Sequence, residues 1–152
     1  MAAGDLSVFD EAKAYMLDGD FGSTDTIKLA LITSAVTPTD ADAVPGMNAG
    51  ATTTYTEVTA GGGYTAGGET LDTIANMVTE AAGTMTFDDT GASVTWTQNA
   101  SSPTDARYGI IYNSSDTGLE RALAWIDLGA TVDLTAGDLT ITWNASGIFT
   151  IA

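Results

Sequence analysis

ARYGIIYNSSDTGLERALAWIDLG, residues 106–129, holds two apolar runs, ARYGIIYN and RALAWIDLG, separated by a polar segment of Ser, Asp and Gly. Runs of this length, rich in Ile, Tyr and Trp and closed by turn-forming residues, read as β-strands. Outward from this pair the same unit recurs: TIKLALITS (26–34), TTYTEVTA (53–60), TLDTIANMVT (70–79), GTMTFDD (83–89), ASVTWTQ (92–98), DLTITWN (138–144) and GIFTIA (147–152). Short strands about ten residues apart, most of them bounded by Gly, Asn, Asp or Ser, predict an all-β sandwich or barrel.

Within TIKLALITS, Ile27, Leu29 and Leu31 alternate with Lys28, Ala30 and Ile32. Apolar residues on both faces predict a strand covered on both sides. At the C-terminal end, Leu139, Ile141 and Trp143 alternate, NASG turns, and Ile148 to Ile151 return, which predicts a hairpin. One helix is expected, over about residues 7–18. Ser7 stands as its cap with Asp10 three positions on, Val8, Phe9, Ala12, Tyr15 and Met16 form an apolar stripe, and Gly19 is its stop. Composition hardly shifts after residue 20 and no solenoid-length repeat is visible, so 1–152 reads as a single domain.

GGGYTAGGETL (61–71) invites a phosphate-loop reading, but it lacks the Lys-Ser/Thr pair and a following helix, and no βαβ unit surrounds it. The architectural reading is preferred: Gly61 to Gly63 take positive φ between strands, Gly67 and Gly68 permit a bulge or a close strand approach, and Tyr64 fills the space left by missing side chains.

Charge and composition exclude several functions. Lys13, Lys28, Arg107 and Arg121 stand against twenty acidic residues, a formal net charge of -16. Four scattered cations form no phosphate-binding stripe, so neither nucleic acid nor an anionic membrane is an expected partner. The chain has no cysteine and no histidine, which removes disulfides, thiolate metal sites and every Ser-His or Cys-His dyad. No secretion signal or apolar span is read in it. The acidic groups Asp18, Asp20 and Asp25, Asp40 and Asp42, and Asp88 and Asp89 lack the order of a calcium loop and read as solvated turns. Two carboxylates hydrolyse a glycosidic bond without histidine, yet no such pair stands among sugar-stacking aromatics. Trp96, Trp125 and Trp143 sit at alternating strand positions and read as core.

FDEAKAYMLDGDF leading into DTIKLALITS, then GGGYTAGGETL, VTWT, the 106–129 pair and TAGDLTITWNASGIFTI together resemble a family of small bacteriophage virion proteins, from about Phe9 to Ile151. These are capsid decoration (cement) proteins or related minor structural components. The resemblance implies a jelly-roll-like antiparallel β-sandwich with no catalytic residues, bound to the outside of an assembled shell. Its partners would be the major capsid protein and neighbouring copies of itself, as a dimer or trimer. The chain would reside on the virion exterior, and in host cytoplasm before assembly. No cofactor, metal, nucleic acid, membrane or small-molecule substrate is expected. For the contact surface, the helix stripe of Val8, Phe9, Tyr15 and Met16 either docks on a neighbour or covers the protein's own sheet, the latter being favoured. The loop from Val36 to Gly50, with Val36, Pro38, Val44, Pro45 and Met47, is the preferred contact segment. Other readings are a tail or head-tail connector component and a carbohydrate-binding fibre module using exposed tryptophan.

Overall fold

The structure, a computed structural model, describes residues 4–89, 91 and 93–151. It is an all-β protein with few helices, in outline the expected antiparallel sandwich with a short N-terminal helix. One layer is a five-stranded antiparallel sheet in the order β1 (Leu6–Val8), β10 (Ala122–Val132), β9 (Ala106–Asn113), β2 (Thr26–Ile32) and β5 (Glu69–Thr73). The remaining strands form smaller sheets: β11 (Leu139–Thr142) with β8 (Ser93–Trp96), and β12 (Phe149–Ile151) with β7 (Thr84–Phe87) and β6 (Val78–Ala81). A single hydrophobic cluster joins them, running from Phe9 through β2, β9 and β10 to Trp96 and Leu134.

The opening pair of strands forms as the sequence predicts. β9 and β10 are neighbours, with Ile110 opposite Trp125 and Ile111 opposite Ala124, and β10 runs three residues beyond the expected Gly129. Central position explains the apolar runs. β2 and β9 have a strand on each side, and Ile27, Leu29, Ala30, Leu31 and Ile32 are all fully buried, as expected of a strand covered on both faces.

Several expectations change. The helix α1 spans Asp10–Asp18, with Phe9 as its cap and no side-chain capping bond. Ser7 and Val8 instead belong to β1, paired with Trp125 and Ala124, and the Phe9 N–H continues that ladder to the Leu123 carbonyl at 3.0 Å. Strand pairing thus takes the residues that the capping pattern assigned to the helix. Gly19 does end it, at φ 79°, its N–H donating to the Tyr15 carbonyl.

The run TLDTIANMVT is broken by a helical turn, α2 (Ile74–Met77), between β5 and β6. The Ile74 and Ala75 amides donate to the Asp25 and Ser23 carbonyls, pulling the chain out of the large sheet and burying Met77. TTYTEVTA yields only β4 (Thr53–Thr54), in parallel with β3 (Pro45–Gly46), which lies inside the expected loop. The C-terminal hairpin exists only as a turn, an Asn144–Gly147 bridge. Its arms separate: β11 pairs with β8, where the Thr95 and Thr140 hydroxyls meet at 3.0 Å, while β12 pairs with β7, where Phe149 stacks on Phe87 at 4.7 Å.

In the glycine stretch, positive φ occurs at Gly62, Gly67 and Gly68, and not at Gly61 or Gly63. Close approach explains Gly63: a Cβ there would lie 2.1 Å from the Thr97 carbonyl oxygen. Tyr64 does fill the interior beside these glycines, its ring 6.2 Å from that of Trp96.

Candidate functional site

The helix stripe lies against the protein's own core. Phe9 is 0% exposed and Tyr15 8%, while Val8 and Met16 are half-buried against the same cluster. The Arg121 guanidinium sits 4.9 Å above the Tyr15 ring, closing this face further. The outward side of the helix carries Leu17, 88% exposed.

In the 36–50 segment, Pro38 and Pro45 are buried, Val36 and Met47 are half-buried against the core, and Val44 is half-buried with φ 42°. Its acidic residues act as staples. Asp42 accepts from the Thr39 amide and hydroxyl and, at 2.7 Å, from the Tyr55 hydroxyl; Asp40 accepts from Trp125 Nε1 at 2.9 Å. The exposed residues of this segment are all small or polar: Thr37, Thr39 and Asp40 with Ala41, Ala43, Ala49 and Gly50.

The other acidic turns behave similarly. Asp25 accepts from the Gly22 amide and from Asn113 Nδ2, and Asp89 from Trp143 Nε1. The Arg107 guanidinium donating to Asp127 holds that carboxyl below its ordinary value, helped by the Gly129 amide. Bonds from Thr135 do the same for Asp133. Among the described residues no three His, Cys, Asp or Glu side chains are grouped to hold a metal ion, and no helix is long and apolar enough to cross a membrane.

Two cavities among the described residues bear on function. The first, about 480 Å³, is polar and is lined by Lys28, Tyr55, Glu57, Tyr112 and Glu120 among others. Glu57 Oε1 accepts from the Tyr64 hydroxyl at 2.6 Å and the Gly67 amide at 2.5 Å, and the same hydroxyl accepts from the Leu31 amide at 3.0 Å. Glu57 therefore ties the glycine stretch to β2, and burial pushes the Tyr64 phenol far above its ordinary range. Glu57 and Glu120 share no local motif in the sequence and come together only through the fold.

Glu120 is the anomalous member. It sits at φ 49°, where side chains are strained, and its half-buried carboxyl titrates above the ordinary value because of burial first and Glu57 second, with Lys28 opposing. A carboxyl raised in this way disfavours the folded state at neutral pH. That penalty disappears as pH falls through the folded-state value. Asp127 and Asp133, shifted down, contribute stability above the ordinary carboxylate range that is lost on further acidification. The melting temperature is therefore expected to rise on mild acidification from pH 7 and then fall. Glu120→Gln is expected to raise it at pH 7 and to flatten the rising limb, as checked by thermal unfolding across pH. An unchanged rising limb in the variant would remove Glu120 as its cause.

The second cavity is an open groove of about 730 Å³ between the β1–β10 corner and β11. Leu6, Ile126 and Leu128 line one side, Leu139, Ile141 and Trp143 the other. Trp96 and Trp125 are buried, as read from the sequence, whereas Trp143 is half-buried and faces this groove. The alternation of Leu139, Ile141 and Trp143 was the available sequence signal for it, although that pattern alone does not say whether the face is covered. Comparison with family models, curated proteins and solved structures finds no match to this chain.

Proposed function

We propose that the chain is a non-enzymatic structural protein of a phage virion, seated on the outside of the assembled capsid and stabilising it. The observation that carries this reading is the groove: a strand-lined cavity of about 730 Å³ whose lining sets six large apolar side chains and Ile148 beside Thr140, Thr142 and Asn144, with no charged residue among them. Surfaces of this kind mark interaction sites on soluble domains. The resemblance across residues 9–151 supplies the particle. The charge of -16 fits a molecule that stays soluble and off packaged DNA. A protein that binds only the assembled lattice stabilises it by mass action, and symmetry multiplies modest contacts.

Purified particles with and without the chain test the proposal. The expected result is density for the chain at repeated positions on the shell, with particles lacking it breaking at lower temperature. Density confined to the tail, or equal thermal stability of both particles, would refute the decoration role. The half-buried Trp143 favours one other reading, a sugar platform; glycan binding abolished by Trp143→Ala would replace the capsid assignment.

A further inference from the structure

The groove has a defined edge as well as apolar walls. Leu6 lies opposite Ile126 in the β1–β10 ladder, and Leu128 is two residues along the same face, so these three form one wall. Successive residues of β11, Leu139 to Thr142, all line the groove. Strand side chains alternate between faces, so consecutive lining residues mean that the groove runs along the edge of β11. Among the described residues β11 is paired on one side only, with β8. In an antiparallel ladder alternate residues turn their N–H and C=O away from the partner, so the open edge presents unpaired backbone groups to the groove.

The charge around it selects the occupant. Asp138, which accepts from the Gln98 amide, immediately precedes β11, and Asp89 is bonded to Trp143 at the other end. Arg107, on the neighbouring strand β9, is taken by Asp127. A second copy would bring a further charge of -16 against this one, with Lys13, Arg107 and Arg121 already in ion pairs. We propose that the groove receives an extended segment of a partner protein, apolar at alternate positions and flanked by lysine or arginine, which adds as a strand to the open edge of β11. This rests on the reading of the chain as an interaction protein and names the chemistry of what it binds.

The test uses the full chain and the synthetic peptide acetyl-Lys-Val-Thr-Val-Thr-Val-Lys-amide, followed by calorimetry and Trp143 emission. Three probes accompany it: a version with Glu at both ends, and two versions N-methylated on alternate amides, in the two possible registers. The expected result is binding of the Lys-flanked peptide that weakens with salt, at least tenfold weaker binding of the Glu-flanked peptide, and loss of binding in one N-methylated register. Ile141→Asp and Leu128→Asp, on the two walls, are each expected to weaken binding at least tenfold while melting as cooperatively as the parent. Equal binding of both end-charge versions, no effect of either N-methylation, or no binding at all would overturn the proposal. So would a dimer in sedimentation that Ile141→Asp dissociates, since the occupant would then be a second copy. Peptide binding that persists while the chain is absent from capsids would refute the capsid reading alone.

Discussion

Phe9→Ala is expected to destabilise the fold by about 3–5 kcal/mol, the range for removing a fully buried aromatic ring. The ring is 0% exposed and stacks on Tyr55 at 6.0 Å, and its residue is the hinge where β1 ends and α1 begins. Tyr55 is in turn bonded to Asp42, so a cavity at Phe9 also loosens the support of the 36–50 segment. Leu17→Ala on the outer face of the same helix is expected to change stability by less than about 0.5 kcal/mol. Denaturant unfolding of both variants separates the two roles open to this helix. A loss below about 1 kcal/mol for Phe9→Ala would mean that the stripe is not core. Loss of particle binding in Leu17→Ala at unchanged stability would make the outer face a contact surface.

What the sequence reveals of this fold follows how local each signal is. The β9 and β10 runs need only an apolar, β-branched stretch between turns, and both form. Alternation identifies β11 and β12 as strands but carries no information about partners. Those were set by Thr95 against Thr140 and by Phe87 against Phe149, contacts that exist only once the chain has folded. Ser7 with Asp10 is a real capping pattern, overridden because β10 offers β1 a ladder. The candidate site is harder still to read. The groove is assembled from residues 4 to 148, and the Glu57–Glu120 cavity from carboxylates with no local motif between them. The absence of histidine and cysteine narrows the chemistry without locating a surface.

Gly68→Ala is expected to destabilise by about 2–5 kcal/mol, from two separable causes. Gly68 has φ 70°, a left-handed conformation that disfavours an L side chain by about 1–2 kcal/mol. A Cβ there would also lie 2.0 Å from the Leu29 carbonyl oxygen and 2.6 Å from Ala30 Cα. Both are backbone atoms of β2, which is buried and paired on both sides, so no flexible side chain is available to yield; overpacking of this kind costs about a further 1–3 kcal/mol. Relief requires the start of β5 to move off β2; the ladder shifts register further along, between Ile27 and Lys28, where Leu71 has no partner. Gly83→Ala is the matched control. At φ 84° it has the same conformational strain, but nothing lies within 4 Å of its Cβ position, and a loss of only about 1–2 kcal/mol is expected. The difference between the two urea midpoints, at equal m-values, measures the close approach alone. Equal losses would show that the glycine stretch is held in shape by its dihedral angles only, and that β5 does not press on β2 as the geometry requires.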